Sequence, residues 1–183
     1  MSAVKKMCIC AFLTAMCYVL PQAFHILPLG VALSPMHLPV LLCGLVCGWP
    51  YGLFCGLVGP VLSFLLSSMP PVTMLISMIP ELGVYGLIAG LGMKRIRTGK
   101  TLPDLYLSLL PAMVLGRAAG GVAQALLYLS RTESYTIALW AGSYVVGTLP
   151  AIVLQLAVLP ALVWGLMRAG LIPARYPAKE APV

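Results

Sequence analysis

Charged residues are scarce in this sequence, and acidic ones are scarcer still. Only 8% of the 183 residues are charged, and four of these are Asp or Glu, whereas an ordinary soluble domain carries about a quarter charged residues. Hydrophobic residues make up 61% of the chain, and the mean hydropathy is +1.04. A water-soluble fold is therefore excluded, and residues 1–183 are predicted to form a single membrane domain.

Signatures of enzymes and of nucleotide-binding proteins are also missing. The chain has no HExxH, no GxSxG nucleophile elbow, no Gly-rich phosphate loop followed by Lys-Ser or Lys-Thr, and no pair of nearby aspartates. We therefore expect no enzymatic activity, no cofactor and no ATP hydrolysis. The net charge of +7 does not indicate nucleic acid, because the basic residues form short clusters between apolar runs rather than a basic face.

Cysteine is present but lacks the spacing of a metal site. No CxxC occurs, and no His or carboxylate lies nearby at ligand spacing. We predict that the cysteines are small packing residues. All six lie inside apolar runs: Cys8, Cys10, Cys17, Cys43, Cys47 and Cys55.

Long apolar runs predict a compact all-α bundle of six transmembrane helices. The first run is either a span or a secretory signal, and a span is favoured because no small-x-small cleavage site follows cleanly. The second is about 11 residues, or roughly 16 Å as a helix, and cannot cross alone. Trp49-Pro50 separates it from the third. The predicted spans are about 7–27, 38–48, 51–66, 73–93, 105–129 and 137–164.

The basic residues set the predicted orientation. With six spans, nearly all of them lie on one side, so the positive-inside rule predicts cytoplasmic N- and C-termini. Arg131 is then left in an outer loop and Arg117 within a span. The predicted cytoplasmic residues are Lys5, Lys6, Lys94, Arg95, Arg97, Lys100, Arg168, Arg175 and Lys179.

Glycines recur at every fourth residue in the predicted helices, a spacing that favours close approach of helix backbones in a membrane. They are Gly44, Gly48, Gly52 and Gly56, then Gly86 and Gly90, then Gly116 and Gly120. Prolines interrupt nearly every span, which membranes tolerate only where neighbouring helices or a lined cavity satisfy the freed carbonyls. Both patterns favour a compact bundle.

Glu81 and Arg117 are the only strongly charged side chains deep within predicted spans. Each costs about 2.5 to 3.5 kcal/mol near the bilayer centre if unpaired, so both are expected to face inward at similar depths. They belong to polar stripes at helical spacing, which suggest an outward-open cavity for a small molecule. The alternative is a structural ion pair with an interfacial aromatic belt. The stripes are Ser77, Glu81, Tyr85; Arg117, Gly121, Gln124, Tyr128; and Trp140, Tyr144, Thr148, Gln155.

Two histidines lie near the predicted outer loops. His37 opens the second span, where it either hydrogen-bonds a ligand or caps the helix. His25 lies near an interface, where a solvated role or one in the aromatic belt is favoured. We keep only His37 as a candidate site residue.

Three stretches resemble the substrate-specific S-components of energy-coupling factor (ECF) transporters. They are MHLPVLLCGLVCGWPYGLFCGLVGP from Met36 to Pro60, PELGVYGLIAGL from Pro80 to Leu91, and AFLTA from Ala11 to Ala15. The last is similar to the small-xxx-small motif with which this family docks on its transmembrane coupling partner. The size and the six-span plan agree with the same family.

The resemblance implies a subunit that captures a vitamin or related micronutrient from outside. ATP-driven motion in a partner module, made of one transmembrane coupling protein and two ATPases, would then topple it in the plasma membrane of a prokaryote. Ala11 and Ala15 would be coupling residues. The pocket, in the outer halves of spans four to six, would include Glu81, Tyr85, Arg117, Gln124, Trp140 and Tyr144.

Two other functions remain open at this point. A self-sufficient secondary transporter would use Glu81 to carry a coupling proton. A membrane-embedded enzyme or structural protein is supported only by the lone histidines and the glycine-rich interfaces.

Overall fold

The chain folds into α-helices, in a computed structural model that describes residues 1–24, 33–130 and 135–176. No strand occurs in these ranges. The helices are α1 (Ala3–Phe24), α2 (His37–Cys47), α3 (Trp49–Ser67), α4 (Val72–Arg95), α5 (Thr101–Ser130), α6 (Ile137–Ala141) and α7 (Leu149–Arg168), with a π-helical turn (Gly142–Val146) between the last two.

Five of these helices, α1, α3, α4, α5 and α7, are long and apolar enough to cross a membrane. Many of their large apolar side chains are exposed, including Phe12 on α1, Leu65 on α3 and Val114 on α5. Such a surface is suited to lipid and not to water. The chain is therefore an all-helical membrane bundle.

The short helix α2 begins halfway along α1 and ends beside the start of α1. At its beginning, the Met36 carbonyl accepts a hydrogen bond from Cys17 Sγ at 3.9 Å, and at its end Cys47 Sγ donates to the Lys6 carbonyl at 3.7 Å. Lys6 and Cys17 are about 16 Å apart along α1. Helix α2 therefore spans only half of the bundle, and His37 at its first position lies at mid-depth.

The chain reverses at the end of α2 through a single glycine. Gly48 has φ 97°, a conformation that side chains with a Cβ rarely adopt. The sequence analysis predicted that Trp49-Pro50 forms this break. Both residues lie instead in the first turn of α3, where proline is well tolerated, and the break is at Gly48.

Glycine backbones bring α3 into direct contact with α4. A Cβ at Gly52 would lie 2.5 Å from the Gly86 carbonyl oxygen and 2.6 Å from Gly44 Cα. A Cβ at Gly44 would also lie 2.5 Å from the Gly86 oxygen. Three helices thus meet at a point where only hydrogen atoms fit, as expected for packing in lipid.

The sixth predicted span, 137–164, is not one continuous helix. Its first part is α6 and the π-helical turn, and α7 begins only at Leu149. Pro150 lies in the first turn of α7, where its missing N–H costs no helical hydrogen bond. The break lies at the depth of Arg117, because Arg117 Nη1 donates to the Thr148 hydroxyl.

A buried carboxylate joins the C-terminal segment to the loop between α4 and α5. Asp104 has no exposed surface, and it pairs with Arg175 Nε at 2.5 Å. It also accepts hydrogen bonds from the Tyr176 hydroxyl and the Thr98 hydroxyl, both at 2.7 Å. These contacts fix the end of the bundle that carries the basic residues.

Candidate binding site in the middle of the bundle

The two deep charges lie in the interior of the bundle, on neighbouring helices. Glu81 on α4 is 5% exposed and Arg117 on α5 is 6% exposed. Helices α4 and α5 pack along each other, since a Cβ at Gly120 would lie 3.0 Å from Glu81 Oε2. Gly120 follows Arg117 by three residues, so the carboxylate lies within about one turn of the arginine along α5.

The partner of Glu81 is a histidine, and the two charges form no ion pair with each other. Glu81 Oε1 lies 3.4 Å from His37 Nε2. The sequence expected Glu81 and Arg117 to meet directly or through a guest, but among the described residues the ion pairs are His37–Glu81 and Arg175–Asp104. The purely structural Glu81–Arg117 pair is therefore not formed.

Tyr85 connects these groups from the next turn of α4. Its ring packs edge-on against the His37 ring, with 5.2 Å between the centroids. A Cβ at Gly116, beside Arg117, would lie 2.9 Å from the Tyr85 ring. The Tyr85 hydroxyl is buried and has no hydrogen-bond partner among the described residues.

Arg117 is held by the broken helix on its other side. Its Nη1 donates to the Thr148 hydroxyl, which in turn donates to the Tyr144 carbonyl at 2.7 Å. The Trp140 indole N–H donates to the Arg117 carbonyl at 3.2 Å. The arginine thus connects α5 to α6, the π-helical turn and the start of α7.

Glycines on α5 make room for this second layer. Any side chain at Gly121 would overlap the Trp140 indole, and a Cβ at Gly120 would lie 3.1 Å from the Tyr144 ring. Trp140 and Tyr144 are only partly buried. They form the outer wall of the polar centre rather than its interior.

Two helices begin at this centre. His37 is the first residue of α2, and Thr148 immediately precedes α7. Helix N-termini carry a partial positive charge and unpaired N–H groups. Discontinuous membrane helices with N-termini directed at a central site are typical of proteins that bind anionic groups at mid-membrane.

Some predicted residues lie apart from the centre. Gln124 is partly buried on α5, one turn beyond Gly120, and no side-chain hydrogen bond joins it to a described residue. Ala11 and Ala15 lie on the exposed side of α1. His25, Arg131 and Lys179 fall outside the described residues.

Thr148 and Gln155 belong to the polar stripe of the sixth predicted span, but they are not among the predicted site residues. Thr148 is the hydroxyl partner of Arg117, and a threonine just before Leu149-Pro150 is a helix-start signal that points to the break. Gln155 has no exposed surface, and its amide nitrogen and oxygen lack partners among the described residues. It lies two turns along α7 from Thr148.

Pairwise contacts connect the polar side chains of the centre: His37 with Glu81 and Tyr85, and Arg117 with Thr148 and Trp140. Two open grooves, of about 560 and 280 Å³, lie on the faces of α7 and α5, and neither is lined by Glu81 or Arg117. Neither groove therefore contains the two charges around which the cavity was predicted. No group of three or more metal-ligating side chains occurs in the described part of the chain either.

These features define a helical membrane protein with a buried polar centre between discontinuous helices, as in membrane transport proteins. Residues 5–172 match the substrate-specific component of ECF transporters. The chain belongs to this family, so its role is that of a substrate-binding transport component and not of an enzyme class. No curated protein matches the sequence. The family resemblance drawn from the three sequence stretches is confirmed.

Proposed function

We propose that the chain captures a vitamin or related micronutrient from outside the cell and delivers it to a partner module for ATP-driven uptake. The module would contain one transmembrane coupling protein and two ATPase subunits, in the plasma membrane of a prokaryote. The observation that carries this proposal is the pair of buried opposite charges, Glu81 and Arg117, which have different partners in an otherwise apolar bundle. Charges at such depth are functional residues by default.

The proposed topology has six crossings and cytoplasmic termini, and the short helix α2 would form only part of the second crossing. The bundle end at Lys6 also holds the end of α2 and, through close contact of Trp49 with Gly90, the end of α4. Lys94 and Arg95 lie in the last turn of α4. Basic residues thus collect at one end of the helices, as the positive-inside rule requires of a cytoplasmic face.

Helix α1 provides the proposed coupling surface. Its inward side is formed by Cys10, Leu13, Thr14 and Cys17, which leaves Ala11 and Ala15 exposed. Small residues four apart permit close contact with a helix of another protein. Because Ala11 and Ala15 are exposed whereas Glu81 and Arg117 are buried, a guest and a partner would not compete for the same residues.

A guest would enter through the outer part of the broken sixth span. Helix α6 has no buried residue, and π-helical turns often occur at functional sites where a helix must adjust. Trp140 and Tyr144 are its contacts with α5. Movement of this segment would break the contacts of Arg117 with Thr148 and Trp140 and would expose the arginine.

Transport in proteoliposomes tests the proposal. The compound released from the purified chain on denaturation is identified by mass spectrometry and supplied to vesicles that contain the chain alone or with its module. We expect uptake only with the module and internal ATP. Uptake by the chain alone under a pH gradient would instead support the proton-coupled alternative, which the buried His37–Glu81 contact favours. Absence of uptake in both samples would contradict both functions.

A further inference from the structure

We infer that the guest of this site carries a carboxylate or a comparable anionic group, which Arg117 and the start of α7 bind. The inference rests on the proposed function and narrows its substrate class to water-soluble acids of vitamin size.

The hydrogen bonds of Arg117 leave one edge of its guanidinium unpaired. Nη1 donates to the Thr148 hydroxyl, whereas Nε is buried and has no partner among the described residues. No described carboxylate lies within 4.0 Å of the arginine. The nearest buried acid along α4, Glu81, is directed instead at His37.

The unpaired edge has the shape of a carboxylate site. The Nε–H and the adjacent Nη2–H of a guanidinium are parallel, and together they match the two oxygens of one carboxylate. A lysine or a histidine would not impose this geometry. Because an unpaired arginine is costly at mid-membrane, the anion that completes this fork is expected to bind tightly.

The start of α7 adds to the attraction for an anion. Helix α7 has 20 residues, and its positive N-terminal end adjoins Arg117 through Thr148. At the other helix start, that of α2, the carboxylate of Glu81 is already present beside His37. At this centre, the α7 end and the Arg117 fork therefore have no described anion beside them.

Two further polar groups near Arg117, the Tyr85 hydroxyl and the Glu81 carboxylate, indicate which other groups the guest carries. The Tyr85 hydroxyl is another buried donor without a described partner, and the Tyr85 ring packs against His37 and against Gly116, the neighbour of Arg117. The Glu81 carboxylate can accept a hydrogen bond from the guest. The site therefore fits an acid that also carries a hydroxyl or N–H group.

The first test is the charge of the compound that the purified chain releases. A soluble carboxylic acid, or another soluble anion, supports the inference. A neutral or cationic compound overturns it and leaves the proposed function intact, and an anionic phospholipid overturns it as well. If nothing is released, the thermal midpoint is measured with three acids and their neutral counterparts: nicotinate and nicotinamide, biotin and biotin amide, pantothenate and pantothenol. No shift with any of them would overturn the inference together with the proposed function.

The second test compares the released acid with its primary amide on the wild-type chain, which needs no substitution. The acid is expected to bind about 10- to 100-fold more tightly. Arg117→Gln should remove this difference and Arg117→Lys should retain part of it. Arg168→Gln, which changes an exposed arginine, should alter nothing. Equal affinity of the acid for the wild type and Arg117→Gln would refute the anion site.

Discussion

Glu81 and Arg117 show what a single residue reveals in a membrane sequence. An ionisable side chain inside an apolar run must face the protein interior, so their burial followed from energetics alone. The hydrogen-bond partners of the two residues could not be predicted in the same way. Helical periodicity gives the depth of a side chain in the bundle, but it does not identify the residue that the side chain contacts. His37 pairs with Glu81 because α2 begins halfway along the bundle. The length of the segment before α2 does not predict where α2 begins.

Gln155 differs from the site residues, and we predict that it limits stability. Its amide is fully buried without described partners, two turns from Thr148, and such burial costs about 1 to 3 kcal/mol. Gln155→Met, of similar volume, should raise the thermal midpoint in detergent and leave ligand affinity unchanged. A midpoint that falls would contradict the destabilising role of the buried amide, and an affinity that drops would indicate that the amide binds the guest.

Among the helices, the glycine spacing predicted close packing, and the structure has that contact between α3 and α4. The short second span was also evident, since 11 residues cannot cross a bilayer. The break before α7 was harder to see. Proline occurs in several helices here, and Pro60, Pro80 and Pro111 lie inside continuous ones. A proline therefore did not reveal by itself which helix is divided.

The α3–α4 contact gives a matched pair of substitutions. In Gly52→Ala the new methyl would meet two backbone atoms that cannot move aside, at 2.5 and 2.6 Å, so we expect a loss of about 1 to 3 kcal/mol or more. In Gly165→Ala, on α7, nothing lies within 4 Å of the new methyl, and stability should rise by up to about 1 kcal/mol. Thermal unfolding followed by circular dichroism measures both. Equal effects of the two substitutions would contradict the packing described here.

For the molecule as a whole, composition was sufficient to identify a membrane bundle, because an interior and a lipid-facing surface are both apolar. For the same reason, composition cannot assign a function to an exposed apolar face. Apolar residues on α1 and α7 do not indicate which face meets lipid and which meets a partner, so the AFLTA motif on α1 was the only guide to a docking surface.

That surface is tested by blocking it without touching the site. Ala11→Leu with Ala15→Leu should abolish uptake in proteoliposomes that contain the module, because the bulkier side chains keep the partner helix away. Ligand affinity of the purified chain should be unchanged. The control is Ala157→Leu with Ala161→Leu, a pair with the same spacing and also exposed, on α7. Normal uptake by the α1 variant, or equal loss in both, would argue against docking through α1.

The most direct measurement of the central claim is the amount of small molecule bound per purified chain, determined by mass spectrometry in the wild type and in the double variant Glu81→Gln, Arg117→Gln. The double variant removes both buried charges and keeps their sum at zero, so the fold should be retained, as checked by its thermal midpoint. We predict equimolar ligand in the wild type and about tenfold less or lower in the variant. A folded variant that retains as much ligand as the wild type would show that these two residues do not form the binding site.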